Sequence, residues 1–345
     1  MRKSKKQELI IFLIIVSVAA FFRLYKLDDF ASAIIGILTV IGLYLLTKEL
    51  FEWRMAALAS FMMAVSFWHV HFSRIGSEAV MTPFMLVLGF YFLWRGLKHL
   101  RKFDFLMAGI FGGLGSYLDV AYNLAPLIGV LVFVNYWWYL KSDFSHSSYD
   151  HAKTKFLQGI SLAVITMIFI SLPVCIYYWA NTGNFLAKIP TISLSNIIKT
   201  LGMFNFTGDW NQQHNIPGAP MLHWTLGIFF VIGFIKEFGH WLRRKHGHFS
   251  TLHTLIISWF FIMLVPGFLS ANVPDALATI GVIPIVMIIT ARGMWWFFDK
   301  LSDWYKANDP HSQYERHVVV ALVLITLLAT IGFIEYWRYF RIWIR

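Results

Sequence analysis

The chain is 345 residues long, with 58% apolar and only 14% charged residues and a mean hydropathy of +0.62. Ordinary soluble domains carry about 25% charged residues, so a water-soluble globular fold is excluded. The net charge of +11 would suit a nucleic-acid binder, but the basic residues are sorted by side of a membrane, and no nucleic acid is expected as a partner.

Apolar runs of roughly 18 or more residues, each long enough to cross a bilayer, recur along the whole length. Spans are predicted near 8–25, 31–47, 55–73, 79–97, 104–118, 124–140, 156–179, 223–242, 251–269, 276–297 and 317–337. The third, "AALASFMMAVSFW", is short alone and needs its flanks. The first follows the basic stretch "MRKSKKQ" and is succeeded by "RLYKLDD" instead of a small-residue cleavage site, so it reads as an uncleaved helix. Short alternating segments of a β-barrel are not the pattern.

With "MRKSKKQ" in the cytoplasm, the outer side keeps only Arg23, Lys26, Arg74, Lys188, Lys199 and the C-terminal Arg338, Arg341 and Arg345. That bias obeys the positive-inside rule. The expected fold is an all-α polytopic transmembrane bundle of about 11 spans, N-terminus in and C-terminus out, forming one domain over 1–345. Cys175 lies alone inside a span, so neither a disulfide nor a cysteine metal site is expected.

Most connections are short. The long outer loop, 181–222, holds "GNFLAKIPTISLSNIIKTLGMFNF", suited to an amphipathic surface helix, and then the turn-rich "TGDWNQQHNIPGAP". Loops of that length are usually functional or disordered.

Sorting carboxylates by side puts Asp28, Asp29, Glu78, Asp119, Asp209 and Asp275 outside, with Glu335 near the last helix end. Arg23, Arg74, His69, His71, Tyr122, Asn123, His214 and Asn215 accompany them. Charged groups near hydrocarbon are expensive unless paired or facing a wet cavity. Outer-end groups from several helices could share such a cavity, where an enzyme of lipid-linked substrates must work. Blander readings stand beside this one. "HVHFSRIGSEAV" could be a hydrated hairpin tip pairing Arg74 with Glu78 at i,i+4 spacing, and Asp119 could mark a wet helix end. "GDWNQQHN" suits metal or sugar-hydroxyl contact, or is a polar loop. "GHWLRRKHGH", on the cytoplasmic side, carries histidines among basic neighbours that repel a cation.

In order along the chain, "FFRLYKLDD", "ASAIIGILTVIGLYLLTKELF" and "AVSFWHVHFSRIGSEAVMTPFMLVLGFYFLWRGLK" resemble the C-type, polyprenyl-phosphate-dependent membrane glycosyltransferases: protein O-mannosyltransferases, aminoarabinose transferases and the lipopolysaccharide-core branch. "GGLGSYLDVAYNLAPL", "FTGDWNQQHNIPGAPML" and "PDALATIGVIPIVMIITARG" extend the likeness over almost the whole chain. The resemblance implies transfer of a sugar from a polyprenyl-phosphate carrier to a lipid, glycan or protein acceptor, at the outer face of a bacterial-type inner membrane. A carboxylate would act as general base, and basic and amide groups would steady the departing phosphate. Glu78 and Asp209 are the candidate catalytic carboxylates. Arg74, Asp119, Asn123, His214 and Asn215 are the candidate substrate contacts. The cofactor expectation goes no further than a divalent metal with ligands unspecified; the other partner is membrane lipid.

The chain departs from the family pattern in ways that bear on catalysis. Relatives carry a sizeable outer loop with the catalytic aspartate after the first helix, whereas "RLYKLDDF" runs directly into "ASAIIGILTV", so Asp28 and Asp29 are not assigned that role. Asn123 and Ala278 stand where relatives often carry Arg, and "RYFRIWIR" ends where many continue. The alternative expectation is a degenerate, non-catalytic member, or a transporter or flippase of lipid-linked sugars. Transport is less favoured, because there is almost no charge at mid-depth and no duplication of halves.

Overall fold

A computed structural model describes residues 2–25, 30–143, 146–180, 192–243, 248–308 and 313–344. The described residues are helical throughout, joined by turns. In order they form α1 (Arg2–Leu24), α2 (Ala31–Leu50), α3 (Trp53–Val65), α4 (Phe67–Arg74), α5 (Met81–His99), α6 (Lys102–Gly115) and α7 (Ala125–Asp143). There follow α8 (His146–Ala180), α9 (Leu194–Gly202), α10 (Trp224–Leu242), α11 (His248–Ile262), α12 (Val265–Phe268), α13 (Ile283–Asn308) and α14 (Gln313–Trp337).

Among the described residues, nine helices are long and apolar enough to cross a membrane, and the count rises to ten when the bent pair α3–α4 is taken as one span. The chain is thus the predicted all-α, multi-pass membrane bundle. The difference from the predicted count lies at 104–118, where α6 has 14 residues. At 1.5 Å per residue it spans about 21 Å, short of the roughly 30 Å hydrocarbon core.

The core is built on α13, whose apolar window is 78% buried, and on α11 at 72%. By contrast, α8 and α14 bury only 11% and 6% of theirs, leaving Phe169, Ile165, Leu322 and Ile325 for lipid. The helices approach closely where glycines face each other. A Cβ on Gly233 of α10 would lie 1.9 Å from the Ile289 carbonyl oxygen, and one on Gly293 of α13 would lie 1.9 Å from that of Phe229. Without a hydrophobic force between helices in lipid, such backbone approach is the main source of packing energy.

Of the predicted surface helix in the long loop, α9 is described. It exposes Leu194, Ile198 and Leu201, buries Thr200, and is capped by Ser193 Oγ on the Asn196 N–H at 3.1 Å. Residues 181–191, and Asp28 and Asp29, lie outside the described residues.

Candidate functional site

The polar stretch 207–220 folds as a closed loop. The Gly218 N–H donates to the Asp209 carbonyl at 3.0 Å, and the Met221 and Leu222 N–H groups donate to Met203 and Phe204 at 2.9 and 3.1 Å. Within it, Asp209 Oδ1 accepts from the Asn211 N–H at 2.8 Å and Asn211 Oδ1 from the Gln213 N–H at 2.9 Å, the local self-bonding that Asx residues favour. Gly218 has φ +71°, and the Trp210 ring covers it so closely that a Cβ would sit 2.8 Å from the indole. Glycine alone meets both demands.

A second loop, 269–280, comes from between α12 and α13. Asp275 Oδ1 caps it by accepting from the Leu277 and Ala278 N–H groups at 3.0 and 2.9 Å, and Oδ2 accepts from Ser270 Oγ at 2.7 Å. The two loops meet at Asp209, whose Oδ2 accepts from the Ala276 N–H at 2.8 Å and lies 3.1 Å from His214 Nδ1. Asp209 is buried, and His214 and Asp275 are half-buried. One donor atom from each of the three lies within 4.8 Å of the others. Metal–ligand distances of about 2.0–2.2 Å permit ligands of one cation to stand up to about 4.4 Å apart, so a shift of a few tenths of an ångström would let the three share an ion.

The short helix α4 holds both loops. Trp68 Nε1 donates to the Ala276 carbonyl at 3.1 Å, and His71 Nε2 donates to the Gln213 carbonyl at 2.7 Å. It reaches them because it departs from α3 by 55° at Ser66. The break contains neither Pro nor Gly, so its direction must be fixed by what satisfies the freed backbone groups. On the α3 side, the fully buried Arg23 donates to the Ala64 and Met63 carbonyls at 2.9 and 3.2 Å, and to His69 Nδ1 at 2.6 Å. On the α4 side, Glu335 Oε2 accepts from the Phe67 N–H at 2.7 Å. A cation thus sits at a helix C-terminus and an anion at an N-terminus, the arrangement that helix dipoles favour.

Of the sequence-predicted site residues, the structure brings Asp209 and His214 together. Asn215 stands beside them but is buried, with its Nδ2 bonded to the Asp209 and Ala219 carbonyls at 3.2 and 2.6 Å, so it ties the loop. Arg74 ends α4, where it donates to the Phe22 and Arg23 carbonyls at 3.2 and 3.0 Å and lies against the Tyr339 and Phe340 rings. Glu78 opens a short 3₁₀ turn after α4, exposed. Asp119 is exposed and accepts from the Ala121 N–H at 3.3 Å, and Asn123, four residues further on, is exposed as well. Among the described residues, Glu78, Asp119 and Asn123 make no hydrogen bond to the Asp209 cluster. Sequence reasoning put Asp275 on the same side as Asp209 and His214, beside which the structure places it, but gave it no role, and it missed Ser270.

The family model for dolichyl-phosphate-mannose-protein mannosyltransferase matches residues 29–179. No curated protein sequence matches the chain. Among solved structures, the oligosaccharyltransferase AglB of Archaeoglobus fulgidus, in complex with an inhibitory peptide and a dolichol-phosphate, superposes with a TM-score of 0.54 and 15% identity over 92% of this chain and 44% of its own. The apo enzyme from the same organism gives 0.52 and 16% over 92% and 45%, and its complex with Zn and sulfate gives 0.51 and 16% over 89% and 40%. The chain therefore spans less than half the length of these structures. The predicted resemblance is borne out: the fold is that of the C-type membrane glycosyltransferases.

Proposed function

We propose that this chain binds a sugar carried on a polyprenyl phosphate at the end of the bundle that holds Asp209, His214 and Asp275, and transfers it to a lipid, glycan or protein acceptor. The observation carrying this reading is the joining of two loops by Asp209 into a half-buried carboxylate–imidazole–carboxylate cluster. The sorted basic residues favour an outward orientation for that end, facing outside a bacterial-type inner membrane. The dolichol-phosphate bound by the archaeal structure is in keeping with the donor class.

The three side chains suit a divalent cation, offering hard carboxylate oxygens and an imidazole within 4.8 Å; bound there, the ion would supply positive charge to the donor phosphate. Asp209 already receives the Asn211 and Ala276 N–H groups, which hold its carboxylate in one orientation and suit it to position a ligand. Glu78, exposed at the start of its turn, is the candidate base. It would take the proton of the acceptor hydroxyl as that oxygen bonds to the anomeric carbon and the sugar–phosphate bond breaks. Arg74, Asp119 and Asn123 stay as candidate contacts to donor or acceptor.

The protein in lipid nanodiscs, given radiolabelled polyprenyl-phosphate sugars, tests this directly. Wild type should transfer label, and Asp209→Asn, Asp275→Asn and Glu78→Gln should each reduce turnover at least a hundredfold. Turnover indifferent to all three would overturn the assignment. A second reading, binding without transfer, is favoured by the direct passage from α1, ending at Leu24, to α2, beginning at Ala31. Saturable donor binding with no turnover in wild type would select it.

A further inference from the structure

A crevice of about 770 Å³ opens between α1, α3, α13 and α14, a volume within the roughly 300–1,000 Å³ that small-molecule sites occupy. Its walls are aliphatic and aromatic, with Ile14, Leu58, Phe61, Leu324 and Leu328 among them. Polar groups gather at one end only, where Arg54, Asp299 and Ser302 lie with the Trp53 and Trp295 indoles. Arg54 stands at the second position of α3, about 18 Å along the helix from the Ser66 break. The crevice mouth is thus at the end of the bundle away from the Asp209 cluster.

Two observations identify the occupant. First, α14 contributes a wall but buries only 6% of its apolar window, so the crevice lies beside a helix otherwise given over to lipid, where hydrocarbon is the surrounding medium. Second, Arg54 is exposed. Beyond its own contact with the Trp53 ring at 5.5 Å, it makes no ion pair among the described residues. A guanidinium with no ion pair among the described residues, beside indoles at the head of a long apolar slot, matches a phosphate above an acyl chain.

We infer that this crevice is a glycerophospholipid site: one acyl chain lies between α1, α3, α13 and α14, and the phosphodiester sits on Arg54. Asp299 and Ser302 then meet the hydroxyls of the headgroup. The site is separate from the proposed sugar-donor site and does not rest on transfer activity.

The test is native mass spectrometry and thermal unfolding of the delipidated full chain. Phosphatidylglycerol is added in one arm and diacylglycerol with the same chains, lacking the phosphodiester, in the other. Wild type should retain one phosphatidylglycerol and melt higher with it. Arg54→Gln should weaken retention at least tenfold, and Ala57→Phe, which fills the slot, should do the same. Lys141→Gln, which removes an exposed cation on α7, should change nothing. Equal retention of diacylglycerol, undiminished retention by Arg54→Gln, or an equal loss in Lys141→Gln would each overturn the inference. Should Ala57→Phe fail to fold, Arg54→Gln decides.

Discussion

The Glu335 carboxylate receives the backbone N–H of Phe67 at 2.7 Å, across 268 positions of the chain, and its other oxygen receives Arg338 Nη1 at 3.1 Å. That one carboxylate fixes where α4 begins, and α4 carries Trp68 and His71 to the two loops of the candidate site. Glu335→Gln keeps an oxygen for Phe67 and loses the charge, whereas Glu335→Leu leaves both the amide and the Arg338 guanidinium without their partner. The expected destabilisation is about 1–2 kcal/mol for Gln and about 3–5 kcal/mol for Leu, read as the ordering of thermal unfolding midpoints in detergent. Equal midpoints would show that the amide–carboxylate contact does not set the helix start.

Asp209 is the hinge between the loops, and its amide analogue tests the cluster. In Asp209→Asn one carboxylate oxygen becomes an NH₂ group, which must then face either the Asn211 N–H or the Ala276 N–H and His214. Donor against donor at a buried site costs about 1–3 kcal/mol. The variant should therefore melt lower and also lose any Mn²⁺ affinity seen in wild type by more than a hundredfold in calorimetric titration. Ser270→Ala removes only the hydroxyl that steadies Asp275 Oδ2. Losses of about 10–100-fold are typical when such an outer partner of a ligand is removed. A Ser270→Ala loss as large as that of Asp209→Asn would contradict the roles assigned to the two residues.

The spans, and the shared end of the bundle at which Asp209, His214 and Asp275 lie, could be read from the chain because hydropathy and basic-residue bias are local signals. What joins them is not local. The break at Ser66 carries no Pro or Gly, and the groups that cap it stand 40 or more positions away at Arg23 and Glu335, so residues 55–73 read as one straight span. Asp275 drew no role because its neighbour Asp209 lies 67 positions before Ala276, whose N–H links them. Asn215 was legible as a polar loop residue, but its burial follows from loop closure onto the Ala219 carbonyl, which no residue pattern announces.

The crossing of α10 and α13 depends on two hydrogens in place of two methyl groups. At Gly233 and Gly293 a Cβ would lie 1.9 Å from backbone carbonyl oxygen of the facing helix, while at Gly239, on the same α10, nothing stands within 4 Å. Gly233→Ala and Gly293→Ala should each destabilise by about 1–3 kcal/mol or more, since backbone cannot move aside as a side chain can. Gly239→Ala should stabilise by up to about 1 kcal/mol through helix propensity. Unfolding midpoints of the three variants in one detergent give the comparison. Gly233→Ala matching Gly239→Ala would mean that the helices are not in backbone contact.

His223 gives the fold a dependence on pH that can be signed. It precedes α10 and caps it, its Nδ1 accepting from the Thr225 N–H at 3.4 Å, and desolvation holds its pKa below the ordinary histidine value of 6.5, with Glu335 raising and Arg338 lowering it. The folded state therefore prefers the neutral ring, and only the neutral ring has a lone pair for the cap. Above about pH 6.5 both folded and unfolded chains carry neutral His223, and its contribution is fully present. As pH falls below that value the unfolded chain takes up the proton first, and stability drains away until the folded-state pKa is passed. His223→Asn retains a capping oxygen and cannot titrate. The difference in unfolding midpoint between wild type and His223→Asn should be constant from pH 8 to 7 and should shift against wild type between pH 6.5 and 5. A difference that stays flat through that window, or moves in favour of wild type, would show that the imidazole is not held neutral at the start of α10.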